Sequence, residues 1–297
     1  MIYFIANPVA GSGRAKSAIS IIQKIMDENN LGYSVIYTNQ PGDYARVSGL
    51  IDFDRAKTVI CVGGDGTYQE YIGLAVEHDI NFGIIPAGSG NDLILSLPGE
   101  KIKYKSFEEK IKAYTEKIIE CETIPVDAVK INGEKYFFNI GGTGIDIQVL
   151  QDALPLKKIF GGAAYFLSLI KNVVTYKPMR MTLTIDGKPE TDNYLLIAIC
   201  NGAYYGGGLN IAPSAVMNDG YITLCKIKKM QRLKLMALFP RVKSGKHVTI
   251  KEVSFVNCST VKLEFDGSKI INLDGNLPEF TSPMTFEIMK NAVKLIV

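Results

Sequence analysis

Two glycine-rich segments, each carrying one aspartate, follow consecutive apolar runs of strand-like sequence. The first, Gly63-Gly64-Asp65-Gly66-Thr67, follows residues 58–62 and precedes a helical pattern; the second, residues 86–92, follows the run 82–85. The carboxyl ends of parallel strands form the sheet edge at which α/β folds bind their ligands. The two segments therefore predict an α/β fold in which backbone N–H groups and carboxylates meet at one nucleotide.

Residues 1–125 alternate between a strand period and a helix period. The strand-like runs are 2–6, 33–37, 58–62 and 82–85. In the first intervening segment Ala15, Ala18 and Ile22 recur at the spacing of one helix face. This alternation predicts a mainly parallel sheet with helices on both faces, and we assign residues 1–125 to a nucleotide-binding α/β domain.

The sequence beyond residue 125 predicts a mainly antiparallel β-sandwich. Three dipeptides typical of tight hairpins lie between strand-like runs: Asn132-Gly133, Asp186-Gly187 and Asp266-Gly267. Helices are expected at 159–175 and 231–243. We assign 126–283 to this second, acceptor-binding domain, while 284–297 either closes it or returns to the first. The active site is expected in the interdomain cleft.

Composition excludes several classes of protein. Apolar residues make up 47% and charged residues 21%, as in ordinary globular proteins, and a net charge of +3 is too small to indicate a nucleic-acid partner. The 5 cysteines form no CxxC pair, which favours the reducing cytosol. The apolar region 159–170 is about half of the ~20 residues that a membrane-spanning helix needs.

Neither of two common nucleotide motifs is complete. Gly187-Lys188 and Gly245-Lys246 lack the rest of a P-loop, and Gly11-Ser12-Gly13 is not extended to GxGxxG. Residues 7–13 still lie between a strand and a helix, where they either wrap a phosphate or form only a tight turn. Glu70, one helical turn beyond the first acidic loop, serves either the site or the helix cap.

These segments resemble the diacylglycerol kinase catalytic family, which includes sphingosine kinases, ceramide kinases and short bacterial lipid kinases, and the last are the most similar. The resemblance continues in order along the chain. Its further segments are 138–146, 201–208, 211–221 and Asp274-Gly275, which are similar to the family's glycine-rich strand, its Gly-Gly-Gly loop, its Pro-x-Ala-x-x-x-Asp-Gly signature and its late Asp-Gly-Glu.

The resemblance implies an ATP- and Mg²⁺-dependent lipid kinase that phosphorylates the hydroxyl of a diacylglycerol-like lipid. Asp65 and Asp92 would shape the ATP–Mg²⁺ site, and Asp274 would take the proton from the acceptor hydroxyl. The implied nucleotide-binding residues are Asn7, Pro8, Gly11, Ser12, Gly13, Thr38, Gly63, Gly64, Asp65, Gly66, Thr67, Glu70, Ser89, Asn91 and Asp92.

The resemblance also implies a structural Mg²⁺ site away from the chemistry. It falls on Val216, Asp219 and Tyr221, of which only Asp219 supplies a side-chain ligand. Because Asp-Gly is also a common turn, Asp219-Gly220 is open to both interpretations.

One departure from the family affects the catalytic group. The family's Asp-Gly-Glu is Asp274-Gly275-Asn276 here, and an asparagine cannot accept a proton at neutral pH. Either Asp274 suffices as the base, or the protein is slow, altered in substrate, or no longer a kinase. Gln69 also stands where family members usually carry Asn.

We expect a cytoplasmic protein that contacts a membrane surface peripherally; homodimerisation is left open. Lys157 and Lys158 with the apolar run 159–170 form one candidate surface, and an ordinary buried helix is the alternative. Further basic residues suited to anionic headgroups are Lys226, Lys228, Lys229, Arg232, Lys234, Arg241, Lys243 and Lys246.

Two rival functions remain at this point. An NAD kinase-like enzyme would share the Gly-Gly-Asp-Gly-Thr loop, although the later signatures favour the lipid branch. A non-catalytic nucleotide- or lipid-binding regulator on a degenerate kinase fold would explain Asn276.

Overall fold

The computed structural model describes residues 1–88, 90–97, 103–160 and 163–296, and within these every side chain except those of 154, 157–160 and 163–166. The predicted contact residues Ser89, Lys157 and Lys158 therefore lie outside the described residues or side chains. The chain divides into two compact units. The first comprises Met1–Ala128, Met217–Asp219 and Met289–Val297, and the second comprises Val129–Val216 and Gly220–Ile288.

The first unit is a parallel sheet with helices. Its strands are β1 (Ile2–Ala6), β2 (Tyr33–Tyr37), β3 (Thr58–Gly63) and β4 (Asn81–Pro86), and its helices are α1 (Arg14–Glu28), α2 (Tyr44–Gly49), α3 (Asp65–His78), α4 (Asp92–Ser96) and α5 (Phe107–Glu120). The strand order is β2-β1-β3-β4, and all of these neighbours run parallel. Helix α1 packs on α5 and α2 packs on α3, as expected when crossovers cover both faces of a sheet.

Apolar content explains why β3 lies at the centre of this sheet. All six residues of β3 are buried, and so are five of the six in β4, because helices cover both faces. Helix α1 buries Ala15, Ala18 and Ile22, the face that the sequence predicted. Each strand of this sheet consequently delivers its following loop to one edge.

The second unit is mainly antiparallel. Strand β5 (Thr123–Ile131) enters it from the first unit. Its own elements are β6 (Lys135–Phe137), β7 (Ile140–Gly144), α6 (Ile145–Phe160), α7 (Ala163–Thr175), β8 (Met179–Ile185), β9 (Lys188–Cys200), β10 (Tyr204–Tyr205), β11 (Leu209–Asn210), β12 (Ile222–Lys228), α8 (Arg232–Lys243), the 3-10 helix Lys246–Thr249, β13 (Val253–Cys258), β14 (Thr260–Glu264), β15 (Ser268–Ile270), β16 (Asn272–Leu273), β17 (Glu279–Thr281) and the start of β18 (Met284–Ile296).

Two apolar clusters stabilise the second unit, one on each face of its central strands. In β9 Ile197 and Ile199 belong to one cluster, whereas Leu196 and Ala198 belong to the other. The second cluster also contains Leu235, from helix α8. A strand covered on both faces has no polar alternation, which explains the continuous buried run at the end of β9.

One expectation for this unit was wrong. Asp266-Gly267 does not join paired strands: β14 pairs with β8 and β18, while β15 pairs with β17. The dipeptide fits a turn, since Gly267 has a φ of 68°, but the buried faces of the strands select their partners. The helix expected at about 159–175 corresponds to α7, whereas α6 was not predicted. No helix in the described part of the chain is long and apolar enough to cross a membrane.

Candidate functional site

Three loops of the first unit meet at the carboxyl edge of its sheet: those after β1, β3 and β4. Glycines form the contacts. A Cβ atom added at Gly11 would lie 2.0 Å from the carbonyl oxygen of Ala87, and one added at Gly88 would lie 2.5 Å from the Cα of Gly64. Any side chain at these positions would push the loops apart, so packing requires glycine at both, and at Gly11 the φ of 59° also favours it.

The loop after β1 wraps tightly onto the start of α1. Gly11, Ser12 and Gly13 all have positive φ, at 59°, 59° and 90°. The side chain of Asn7 accepts a hydrogen bond from the N–H of Val9, 3.2 Å away. Helix α1 then begins at Arg14 with no acidic residue in its first turn, so the positive end of its dipole is available to an anion.

The loop after β3 is tied to the loop after β4 through one carbonyl. The oxygen of Gly63 accepts from the N–H groups of Ala87 at 2.8 Å and Gly88 at 2.7 Å, and from the Tyr68 hydroxyl at 2.6 Å. Asp65 is the first residue of α3, where the helix dipole stabilises its negative charge. The Asp65 carboxylate is therefore held at a fixed position.

The carboxylates of Asp65 and Asp92 both lie close to Gly90. Oδ1 of Asp65 accepts from the N–H of Leu93 at 3.1 Å. A Cβ atom added at Gly90 would lie 2.9 Å from Oδ2 of Asp65 and 4.0 Å from Oδ2 of Asp92. Mg²⁺ is commonly bound by one or two carboxylates together with substrate phosphates, so these two side chains fit a nucleotide-associated metal. No group of three or more His, Cys, Asp or Glu residues suited to a metal occurs in the described part of the chain.

Two residues that brace the loops were missed from the sequence. Arg14 donates to the carbonyl of Gly88 at 2.9 Å and to that of Gly11 at 3.1 Å. The hydroxyl of Tyr68 also contacts Oδ1 of Asn91 at 3.3 Å. Burial, together with the nearby Asp65 carboxylate, raises the pKa of Tyr68 well above its usual value. The available signal was their position, because each lies in the first turn of the helix that follows a glycine loop.

The other residues predicted to contact the nucleotide do not all lie on the three loops. Thr38 follows β2, is buried, and donates its N–H to Ala6 at 2.9 Å. Glu70 accepts from the Tyr71 hydroxyl at 3.3 Å. Pro8 lies within the loop after β1, and Gly66 lies in the first turn of α3. The structure thus brings the glycine loops and Asp65, Asn91 and Asp92 together, and places Thr38 after the neighbouring strand.

A cavity of about 510 Å³ opens beside the loop after β4. Arg14, Gly90 and Asn91 line one part of it and Tyr114 another. Lys110, also in its wall, donates to the carbonyl of Pro86 at 3.0 Å. The volume of this cavity lies within the usual range for small-molecule sites. Because Arg14, Gly90 and Asn91 also belong to the loops described above or contact them, the cavity is part of the same candidate site.

In the second unit, Asp274 and Gly275 form a two-residue turn. Leu273 and Asn276 exchange backbone hydrogen bonds of 2.8 and 2.9 Å across it, and the turn residues have φ of 48° and 98°. The Asp274 carboxylate accepts from the backbone N–H groups of Phe138, Asn139 and Ile140. Asn276 is exposed and takes part in the turn through its backbone, which a glutamate could supply equally well.

Two further acidic residues lie in the segments that resemble the family, and they differ from each other in exposure to solvent. Asp219 is exposed on a turn together with Val216 and Tyr221, which are also exposed. Asp146 lies in the first turn of α6 beside the Tyr205 hydroxyl, and burial raises its pKa to about 6. The sequence assigned no role to Asp146.

Comparison with family models divides the chain at nearly the same place as the boundary between its two compact units. Residues 1–131 match the diacylglycerol kinase catalytic domain, and residues 140–297 match the YegS C-terminal NAD kinase beta sandwich-like domain. Together the two matches cover nearly the whole chain.

Individual proteins match over most of their length as well. The chain is 30% identical to a diacylglycerol kinase of Mycobacterium tuberculosis (strain CDC 1551 / Oshkosh), covering 96% of the chain and 90% of the relative. It is 27% identical to a diacylglycerol kinase of Bacillus subtilis, covering 91% and 88%. A crystal structure of a diacylglycerol kinase from Bacillus anthracis superposes with a TM-score of 0.76 at 22% identity, covering 99% and 96%, and so shows the same fold.

Proposed function

Since the chain belongs to the diacylglycerol kinase catalytic domain family of lipid kinases, which are phosphotransferases acting on an alcohol group, we propose that it transfers the γ-phosphate of ATP to the hydroxyl of a diacylglycerol-like lipid. The observation that carries this proposal is the pair of carboxylates, Asp65 and Asp92, which both lie within 4.0 Å of the Cβ position of Gly90. They lie beside three glycine loops and near the first turns of the helices that follow them, an arrangement suited to polyphosphate and Mg²⁺.

The residues of this chain would act mainly by positioning. The loop after β1 and the positive end of the α1 dipole would attract phosphate oxygens, and Asp65 with Asp92 would hold Mg²⁺. When bound, Mg²⁺ neutralises charge on the phosphates. Arg14 and Tyr68 keep the loops in register, so the phosphate groups meet a preorganised set of donors. Phosphoryl transfer needs little beyond such positioning and electrostatic stabilisation.

A second Mg²⁺ at Val216, Asp219 and Tyr221 remains part of the proposal. An exposed carboxylate on a glycine-containing turn supports it, because Gly220 has a φ of 76° and the turn exposes all three residues. This ion would have a structural role, since a carboxylate and carbonyl oxygens are suitable hard ligands.

We also propose that the second unit contacts an anionic membrane through an apolar patch on α7 and α8. The patch consists of Leu167, Ile170, Val174, Leu233 and Met236, which are 40%, 40%, 66%, 80% and 51% exposed. The two helices pack on each other, and Lys229, Arg241, Lys243 and Lys246 are exposed on or beside α8. Apolar side chains with nearby basic residues favour the interface of an anionic bilayer.

Several basic residues assigned to this surface from sequence contribute less than expected. Lys226 is buried and forms an ion pair of 2.6 Å with Glu190, so it cannot reach a headgroup. Lys228 and Lys234 pair with acidic residues, and Arg232 donates to carbonyls of Val173 and Tyr176. Because these side chains already form ion pairs or hydrogen bonds within the second unit, they contribute less positive charge to a membrane-binding surface.

The double variant Leu233→Glu/Met236→Glu is expected to reduce binding to vesicles containing phosphatidylglycerol by at least about tenfold, because the apolar contribution is lost and like charges repel. Vesicle flotation measures this directly. Leu50→Glu, at an exposed site in the first unit, is the matched control and should bind as the wild type does. Unchanged flotation of the double variant would remove the patch from the proposal.

A non-catalytic regulator is the second candidate, and Asn276 is the observation that favours it. For a kinase, we expect transfer by the wild type, and Asn276→Glu should change thermal stability by less than about 0.5 kcal/mol because residue 276 is exposed. Phosphoryl transfer by the Glu variant alone, with ATP bound by both proteins, would favour the regulator.

The proposed function is tested by ADP release from ATP–Mg²⁺ with a panel of acceptors in detergent micelles. The panel contains diacylglycerol, monoacylglycerol, ceramide, sphingosine and, without micelles, NAD. ADP release that depends on one of the lipids supports the proposal. Release with NAD alone would favour the NAD kinase-like alternative.

A further inference from the structure

Three backbone N–H groups converge on one carboxylate in the second unit. The bend at Phe138 and Asn139, between β6 and β7, directs the N–H groups of residues 138, 139 and 140 at Asp274. Oδ2 of Asp274 accepts from Phe138 at 2.9 Å and Asn139 at 3.1 Å, and Oδ1 accepts from Asn139 at 3.1 Å and Ile140 at 2.6 Å. The amide of Asp274 in turn donates to the Ile140 carbonyl at 3.1 Å.

These contacts use the hydrogen-bonding capacity of the Asp274 carboxylate. An ionised carboxylate offers roughly four lone-pair sites, and the three amides make contacts with both oxygens. Phe138, Asn139 and Ile140 are all buried, so their N–H groups would be costly to leave without an acceptor. The geometry is that of an anion held in a concave set of amides, not that of a carboxylate directed at a substrate.

The same bend is connected on its other side to the Asn201–Tyr204 segment. The Asn139 carbonyl accepts from the N–H groups of Asn201 and Gly202, each at 2.9 Å, and the side chain of Asn201 donates to the Phe138 carbonyl at 2.6 Å. The side chain of Asn139 donates to the Tyr204 carbonyl at 2.6 Å. Asp274 thus anchors a network that joins three separate family segments.

The glycine strand that follows the bend tolerates little displacement. A Cβ atom added at Gly142 would lie 2.3 Å from the Ile197 carbonyl oxygen, and one added at Gly144 would lie 2.5 Å from that of Leu195. Strand β7 is therefore packed against β9 at backbone distance. A shift of the bend would be transmitted to this strand and to the start of β10 at Tyr204.

We propose that Asp274 is a positioning residue, whose carboxylate holds the 138–140 bend and the Asn201–Tyr204 segment in the shape that receives the acceptor lipid, and that it is not the proton acceptor. This inference rests on the proposed lipid kinase function for its substrate. The reaction does not require a separate strong base. In a loose phosphoryl-transfer transition state, positioning and electrostatic stabilisation contribute most of the rate enhancement.

Asp274→Asn is the variant that tests the anchor. Its amide group retains one acceptor oxygen but places an NH₂ group against a backbone N–H. We expect hydrogen exchange at the amides of residues 138–140 to accelerate by at least about tenfold and the melting temperature to fall by roughly 5 °C. Asp266→Asn, in an exposed Asp-Gly turn of the same unit, is the matched control and should leave both measurements unchanged.

Kinetics then separate positioning from proton transfer. A positioning role predicts a KM for lipid raised by about tenfold, a KM for ATP within about twofold of wild type, and an unchanged shape of the pH profile. Unaltered exchange at 138–140, or loss of the acidic limb of the pH profile, would overturn the inference. If the wild type transferred no phosphate to lipid, the proposed function would fail, whereas the exchange measurement would still decide whether Asp274 is the anchor.

Discussion

Asp65→Asn is expected to reduce Mg²⁺-dependent phosphoryl transfer by roughly 10²–10³-fold without unfolding the protein. The asparagine oxygen can still accept the N–H of Leu93, now 3.1 Å from Oδ1, so the loop should keep its shape. What is lost is the negative charge beside Gly90 and Asp92 that would hold the metal. The measurement is kcat at saturating ATP and Mg²⁺, together with the melting temperature.

Asp54→Asn provides the matched control for this variant. Asp54 is an exposed acid in the same unit, outside the three loops, and its replacement should leave kcat and melting temperature unchanged. Wild-type turnover in the Asp65→Asn protein would show that this carboxylate does not serve the metal.

Gly88→Ala is expected to be strongly damaging although it adds only a single methyl group to the candidate site. The new Cβ atom would lie 2.5 Å from the Cα of Gly64 and 3.0 Å from its nitrogen, and both are backbone atoms that cannot rotate away. Separating the loops should cost about 1–3 kcal/mol of stability. Because the loops carry the phosphate-binding N–H groups and Asp65, ATP affinity should fall by at least about tenfold.

Gly49→Ala is its control. Gly49 ends helix α2 in the same unit, and a Cβ atom there would meet nothing within 4 Å. Its unfolding free energy should stay within about 0.5 kcal/mol of wild type. Calorimetry and ATP titration of both variants are the measurements, and equal behaviour of the two would contradict the proposed close contact between the loops.

The strands and phosphate loops of the first unit were predictable because their determinants are local. The run 2–6 coincides with β1 and the run 33–37 with β2, since short apolar runs between helical patterns define buried parallel strands. The glycine loops were found because several glycines around a carboxylate are rarely needed for a turn alone. The acids at residues 65 and 92 then meet because β3 and β4 are neighbours.

Other features depend on partners distant in sequence. Asp274 reaches amides more than 130 residues away, with a separation of 136 for Phe138, and no local pattern reports such contacts. Lys226 was assigned to the surface from its charge, yet its strand β12 is covered on both faces. At Asp266-Gly267 the sequence correctly indicated a change of chain direction with a positive φ at the glycine. The partners of the flanking strands depend instead on which of their faces are buried.

Lipid phosphorylation by this protein can be measured by incubating it with γ-labelled ATP, Mg²⁺ and diacylglycerol in mixed micelles and identifying the labelled lipid. We expect labelled phosphatidic acid from the wild type and from Asp54→Asn, and a yield lower by roughly 10²–10³-fold from Asp65→Asn. An equal yield from Asp65→Asn, or ATP binding by the wild type with no labelled lipid, would contradict the proposal.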